Sequence, residues 1–196
     1  MNVRSLLSKA SAALVLAAAV CTSTASAASS TWEIDPVHSA VLFRIHHMNA
    51  GYAWGRFNKF SGTIVLDDAN LAASSVKVEI QTESVDTNAE ARDKHLKSAD
   101  FFNAAQFPTI TFASTSIKKN GDAAFDVTGD LTLHGVKKSV TVKMDKTGSG
   151  KDMKGKELVG FEGTLTILRS EYDIKTYLPN IGDEVRLTLA FEAIKQ

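Results

Sequence analysis

From residue 31 onward the chain carries eight runs in which apolar residues recur at every second position or β-branched residues dominate. A period of two puts one face of an extended strand on a core and the other in water. The first run, Thr31–His47, has Val37, Val41, Phe43, Ile45 and His47 in one parity. The second, Gly55–Leu66, carries Phe57, Phe60, Ile64 and Leu66, and the three-residue step from Phe57 to Phe60 predicts a bulge. Val76, Val78 and Ile80 mark the third run, Ser75–Val85, and Phe112 lies in the fourth, Thr109–Lys118. In the fifth, Ala123–Leu133, the phased residues are Phe125, Val127, Gly129, Leu131 and Leu133. Val140, Val142 and Met144 mark the sixth, and Phe161, Gly163, Leu165 and Ile167 the seventh. Val185, Leu187, Leu189 and Phe191 mark the eighth, Glu184–Ile194.

Asn120-Gly121 and His134-Gly135 read as tight turns between neighbours, and Lys146–Lys156 as a Gly/Lys-rich loop. Eight such strands predict an all-β, up-and-down antiparallel barrel with apolar faces inward. A two-sheet sandwich fits the same alternation, but the long strands favour closure. A barrel of this strand number has room for one small ligand. Gly62, Gly129 and Gly163, inside strands, mark bends or places where a ligand approaches the backbone.

One segment breaks the pattern. Thr87–Phe112 opens on Thr87 and Glu90 at capping-box spacing, and Ala89, Arg92, Leu96 and Ala99 share a helical stripe. This predicts one short helical insertion between the third and fourth strands, with Arg92 half-buried beside Leu96. A buried guanidinium requires a partner, either a ligand head group or a carboxylate such as Asp100 or Asp130. Phe101 and Phe102 follow, and Pro108 returns the chain to extended form.

Residues 1–27 stand apart. Arg4 and Lys9 precede the apolar run Ala10–Val20, and Ala25-Ser26-Ala27 is a small-x-small cleavage site, so a secretory signal peptide cut after Ala27 is expected. Cys21 falls within it, leaving residues 28–196 as one cysteine-free domain. That domain has 20 basic against 22 acidic residues, a net charge of −2. Scattered charge of this kind argues against nucleic acid as a partner.

In a meander the connections alternate between the two ends of the barrel. One end receives Met48–Trp54, the helical segment, His134-Gly135 and Ser170–Ile181. It gathers Tyr52, Trp54, Phe101, Phe102, Tyr172, Tyr177 and Leu178, with His47, His95, His134, Arg92 and Arg169. Aromatics with a few cationic or basic groups suit the mouth of a site for a long apolar molecule with a polar head. The expected wall and mouth comprise Phe43, Ile45, His47, Phe57, Phe60, Arg92, His95, Leu96, Phe101, Phe112, Leu131, Leu133, Phe161, Leu165, Ile167, Arg169, Leu187 and Leu189. In a filled barrel the same apolar residues are simply core. His47, His95 and His134 lack ligand spacing and a cysteine or carboxylate partner, so no metal site is expected. Ser39, Asp93 and His95 hold the ingredients of a triad, but Ser39 has no nucleophile elbow, and Asp93 and His95 are two apart on a helix.

Several ordered motifs resemble the YceI family: Trp32-x-Ile-Asp35-Pro-x-His38-Ser39, Phe43-x-Ile45-x-His47, and Gly55-x-Phe57-x-x-Phe60-x-Gly62. The match continues with Arg92-Asp93-x-His95-Leu96-x-Ser98-x-Asp100-Phe101-Phe102, Phe107-Pro108-x-Ile110-x-Phe112-x-Ser114 and Gly129-Asp130-Leu131-x-Leu133-His134-Gly135-Val136. Gly160-Phe161, Arg169-Ser170-x-Tyr172 and Ile181-Gly182-x-Glu184-Val185 close it. The resemblance implies a periplasmic, lipocalin-like barrel whose central tunnel binds a polyisoprenoid, an isoprenoid quinone or a similar long-chain amphiphile. It brings no catalytic residue set and no cofactor other than the bound lipid. Tyr172-Asp173 stands where the family usually reads Phe-Gly, and Tyr52-Ala53-Trp54 is bulkier than expected. The reading is a non-catalytic carrier or sequestering protein, with a homodimer and a membrane or membrane-protein delivery partner as further expectations. An enzyme or redox partner acting on the ligand head, and a stress protein with a side-chain-filled barrel, are the alternatives.

Overall fold

The computed structural model describes residues 29–196; the predicted signal peptide lies outside them. Each of the first three predicted strands is broken once. The first comprises β1 (Ser30–Ile34) and β2 (Ala40–His47), the second β3 (Gly51–Phe57) and β4 (Phe60–Leu66), and the third β5 (Ser75–Gln81) and β6 (Val85–Asp86). After α1 (Glu90–Lys97) come β7 (Thr109–Lys119), β8 (Ala124–Leu133), β9 (Val136–Lys151), β10 (Glu157–Leu168) and β11 (Ile181–Lys195).

The pairings run β1-β4-β5-β7-β8-β9-β10-β11 and return to β1, where Trp32 opposes Lys195 and Ile34 opposes Ala193. This is a closed antiparallel eight-stranded barrel. Beyond the breaks the same order continues: β2 lies on β11, β3 on β2, and β6 on β3. The expected step between Phe57 and Phe60 is the β3–β4 break at residues 58 and 59, and both phenylalanines are buried. His134 and Gly135 form a two-residue turn with φ of 52° and 76°, the left-handed pair that matches strand twist in a hairpin.

Three expectations need correction. β3 begins at Gly51 rather than Gly55, because small Ala53 and Gly55 occupy the inward positions and conceal the alternation. The predicted loop at 146–156 is largely strand: β9 and β10 pair out to Lys151 and Glu157, and β9 is exposed from Asp145 to Lys151, so no apolar face reveals it. Gly62, Gly129 and Gly163 leave space for the protein's own side chains: a Cβ at those positions would meet Ile34, Phe112 and Met144 respectively.

The helix also departs from its expected cap. Ala89 is the N-cap residue and supplies no side-chain bond. The Thr87 N–H and hydroxyl both donate to Asp93 Oδ1, at 2.8 and 2.5 Å. Arg92 is exposed, not half-buried. It turns back to Thr87, with Nε donating to the hydroxyl at 2.6 Å and Nη2 to the carbonyl at 2.7 Å. Asp100 instead faces His95 (2.9 Å), and Asp130 faces Lys137.

Candidate functional site

Two apolar cavities occupy the barrel. The first, about 300 Å³, lies at the end where α1 and the 169–181 segment meet. Its walls come from inward positions of the strands: Phe43, Ile45 and His47 on β2, Phe57 on β3, Leu131 and Leu133 on β8, Ile167 on β10, and Leu187 on β11. Arg92, His95, Leu96 and Phe101 bound it from the helical side. The second, about 120 Å³, extends the other way and is lined by Phe112, Phe161, Leu165 and Leu189, out to Asp68 and Lys146. Ile80, Leu131 and Leu187 line both.

Seventeen of the eighteen expected wall and mouth residues therefore touch a cavity. Phe60 does not. It is buried against Phe191, with ring centroids 6.3 Å apart. Ile110 and Val185 also line the first cavity, and their parity with Phe112 and Leu187 is the sequence signal for them. Thr87, Ile174 and Tyr177 also line the first cavity, but they lie outside the alternating runs and carry no periodic signal.

Polar groups concentrate at the first cavity. His95 donates to or accepts from Asp100 and meets Phe101 edge-on at 5.0 Å; Tyr177 stands 6.0 Å from the same imidazole. Arg169 is 3% exposed. Its Nε, Nη1 and Nη2 donate to the carbonyls of Gly182 (2.8 Å), Ile174 (3.0 Å) and Ile181 (2.9 Å). This fork ties the end of β10 to the start of β11 and fixes the intervening segment. Burial lowers the pKa of its guanidinium, and nearby Asp183 opposes that shift. Asp183 spends its own carboxylate on the Ser170 N–H and hydroxyl.

The other candidate constellations do not assemble. Among the residues lining the first cavity are His47 and His95 but not His134, which packs on Phe107 at 4.7 Å and bonds the Tyr172 carbonyl through Nδ1 at 3.1 Å. Ser39 accepts the Glu192 N–H at 3.0 Å, while Asp93 serves Thr87 and His95 serves Asp100. At the β1–β2 break, His38 Nδ1 lies 2.7 Å from Asp35 Oδ2 and 3.5 Å from Glu192 Oε1. The hydrogen bond raises the pKa of His38 and lowers that of Asp35. Tyr172 is 1% exposed, its hydroxyl has no partner among the described residues, and burial pushes its pKa up to about 12.

Residues 32–193 match the YceI-like domain. The chain belongs to the YceI-like family. It is 45% identical to a UPF0312 protein of Pseudomonas aeruginosa over 193 residues, covering 97% of this chain and all of that one. It is also 45% identical to Protein YceI of Escherichia coli O157:H7 over 176 residues, 89% of this chain and 92% of that protein. Among solved structures, BcnA of Burkholderia cenocepacia superposes with a TM-score of 0.74 at 28% identity, over 81% of this chain and 98% of that one. A polyisoprenoid binding domain from Saccharophagus degradans shares the fold with a TM-score of 0.65 at 17% identity, over 84% and 98% of the two chains.

Proposed function

We propose that this protein binds a long-chain amphiphile, a polyisoprenoid or isoprenoid quinone, in a tunnel formed by the two cavities, and carries or sequesters it in the periplasm without a chemical step. The observation that carries the reading is the sharing of Ile80, Leu131 and Leu187 by two apolar cavities, with His47, Arg92 and His95 at one of them. A chain threaded past those three residues leaves its polar head among the basic groups. Each methylene withdrawn from water contributes about 0.8 kcal/mol, so a prenyl tail needs few polar contacts. Membership of the YceI-like family and the fold shared with a polyisoprenoid binding domain support the ligand class. The signal-peptide pattern of residues 1–27 supports export. His95, Asp93 and Ser39 each serve a separate local bond, which supports binding without catalysis.

The test is native mass spectrometry of protein isolated gently from its own periplasm, followed by organic extraction. A co-purifying species with isoprenoid mass spacing is expected. Leu165→Arg, which places a charge in the second cavity, should fold and retain less of it. A ligand-free mass that persists after incubation with quinones and prenyl lipids would replace this reading with a filled barrel.

A further inference from the structure

Seven large apolar side chains stand exposed among the described residues, and five of them gather at the cavity mouth: Met48, Tyr52, Trp54, Leu168 and Tyr177, each 43–58% exposed. Met48 sits at the β2–β3 turn, Tyr52 and Trp54 on β3, Leu168 at the end of β10, and Tyr177 on the segment bounding the first cavity. Beside them, outward positions on β2 and β11 carry Arg44 and Arg186, together with Glu184. Arg44 on β2 lies directly opposite Trp54 on one side and Arg186 of β11 on the other. The Arg44 guanidinium stacks 4.1 Å from the Tyr52 ring centroid and 5.8 Å from that of Trp54. Neither Arg44 nor Arg186 forms an ion pair among the described residues, and Glu184, on the same outward face, forms none with them. Like charges directly across a sheet are destabilising, and an external anion relieves that cost.

We infer that this rim is a membrane-docking surface that seats the cavity mouth on an anionic bilayer. Tyr and Trp favour the headgroup level, where an apolar ring and a polar tip are both satisfied. Arginines beside them attract anionic lipid. Charge also selects among occupants. A two-fold dimer built on this surface would bring two copies of the same cationic patch together. A bilayer of negative headgroups is complementary instead. The inference stands whatever the cavity holds.

Residues 28–196 should be sedimented with vesicles of equal parts phosphatidylglycerol and phosphatidylcholine, and with phosphatidylcholine alone. Binding to the anionic vesicles is expected, falling as salt rises. A blue shift of tryptophan emission should accompany it and disappear in Trp54→Phe, since Trp32 is already buried. The double variant Arg44→Gln/Arg186→Gln, at outward strand positions, should weaken partitioning about thirtyfold. Leu165→Arg should partition like the parent. No partitioning, or partitioning indifferent to lipid charge and to the two arginines, overturns the inference. Loss of binding in Leu165→Arg does so too, by assigning the signal to lipid uptake. Self-association abolished by Trp54→Ala would give the surface to a second copy.

Discussion

Gly55 lies directly across the β2–β3 pair from Phe43, and the Phe43 ring covers the space that a Cβ at residue 55 would take. Phe112 similarly covers Gly129, although there the missing Cβ would also come within 2.5 Å of the Ala113 carbonyl oxygen. At both positions the absent Cβ makes room for a ring that lines a cavity.

Alanine at these two glycines should act differently. Gly55→Ala meets a ring that can swing inward, so its main effect should be a narrower first cavity and poorer ligand retention. Overpacking would cost about 1–3 kcal/mol. Gly129→Ala meets backbone, which cannot turn aside, and should lose more stability. Urea midpoints of the two variants, with equal slopes, test the ordering.

Leu131 lines both cavities. On the proposed function, in which the two cavities form one tunnel, Leu131→Trp should obstruct it, leaving short prenyl ligands bound and excluding long ones. Competition binding with a series of tail lengths measures this. Uniform weakening at every length would mean that the cavities do not act in series.

Arg169 is held by three backbone carbonyls in the interior. Arg169→Met leaves all three without their donor and should cost about 3–5 kcal/mol. Lysine, lacking the planar fork, should recover only part of that. Urea unfolding of both variants gives the comparison, and proteolysis should cut first within 173–181.

Tyr172 buries a hydroxyl that has no partner among the described residues, and Asp173 beside it adopts φ of 60°. Tyr172→Phe should therefore be neutral or stabilising by about 1 kcal/mol, because it removes a desolvated donor. Asp173→Gly should be tolerated for the same reason that helix ends favour glycine in this conformation. Thermal unfolding of the single and double variants checks both.

The barrel was readable in the sequence because alternation is a direct record of which face is buried. Phe43, Leu131 and Leu187 occupy the wall that their parity assigned. Phe60 did not follow: it packs on Phe191, which lines the second cavity, and itself reaches neither cavity. Arg92 was misplaced for a different reason: a helical stripe gives direction, but a long side chain can turn back to Thr87. The outer ends of β9 and β10 were invisible, since a strand exposed on both faces has no apolar period. Arg169 could be recognised as consequential, yet its three carbonyl partners arise from tertiary proximity that no local pattern records.

The seam between β1 and β11 has a kinetic consequence. Trp32 and Lys195 are paired neighbours in space and almost the whole barrel apart in sequence, so this contact carries the largest loop-closure entropy in the ring. While β11 is absent, β10 and the β1–β2 arm present bare edges open to pairing with other chains. Closure waits on the last strand, and contacts this distant slow folding. The interval before β11 docks is therefore when the chain is most exposed to aggregation, and a chaperone that shields strand edges would act then.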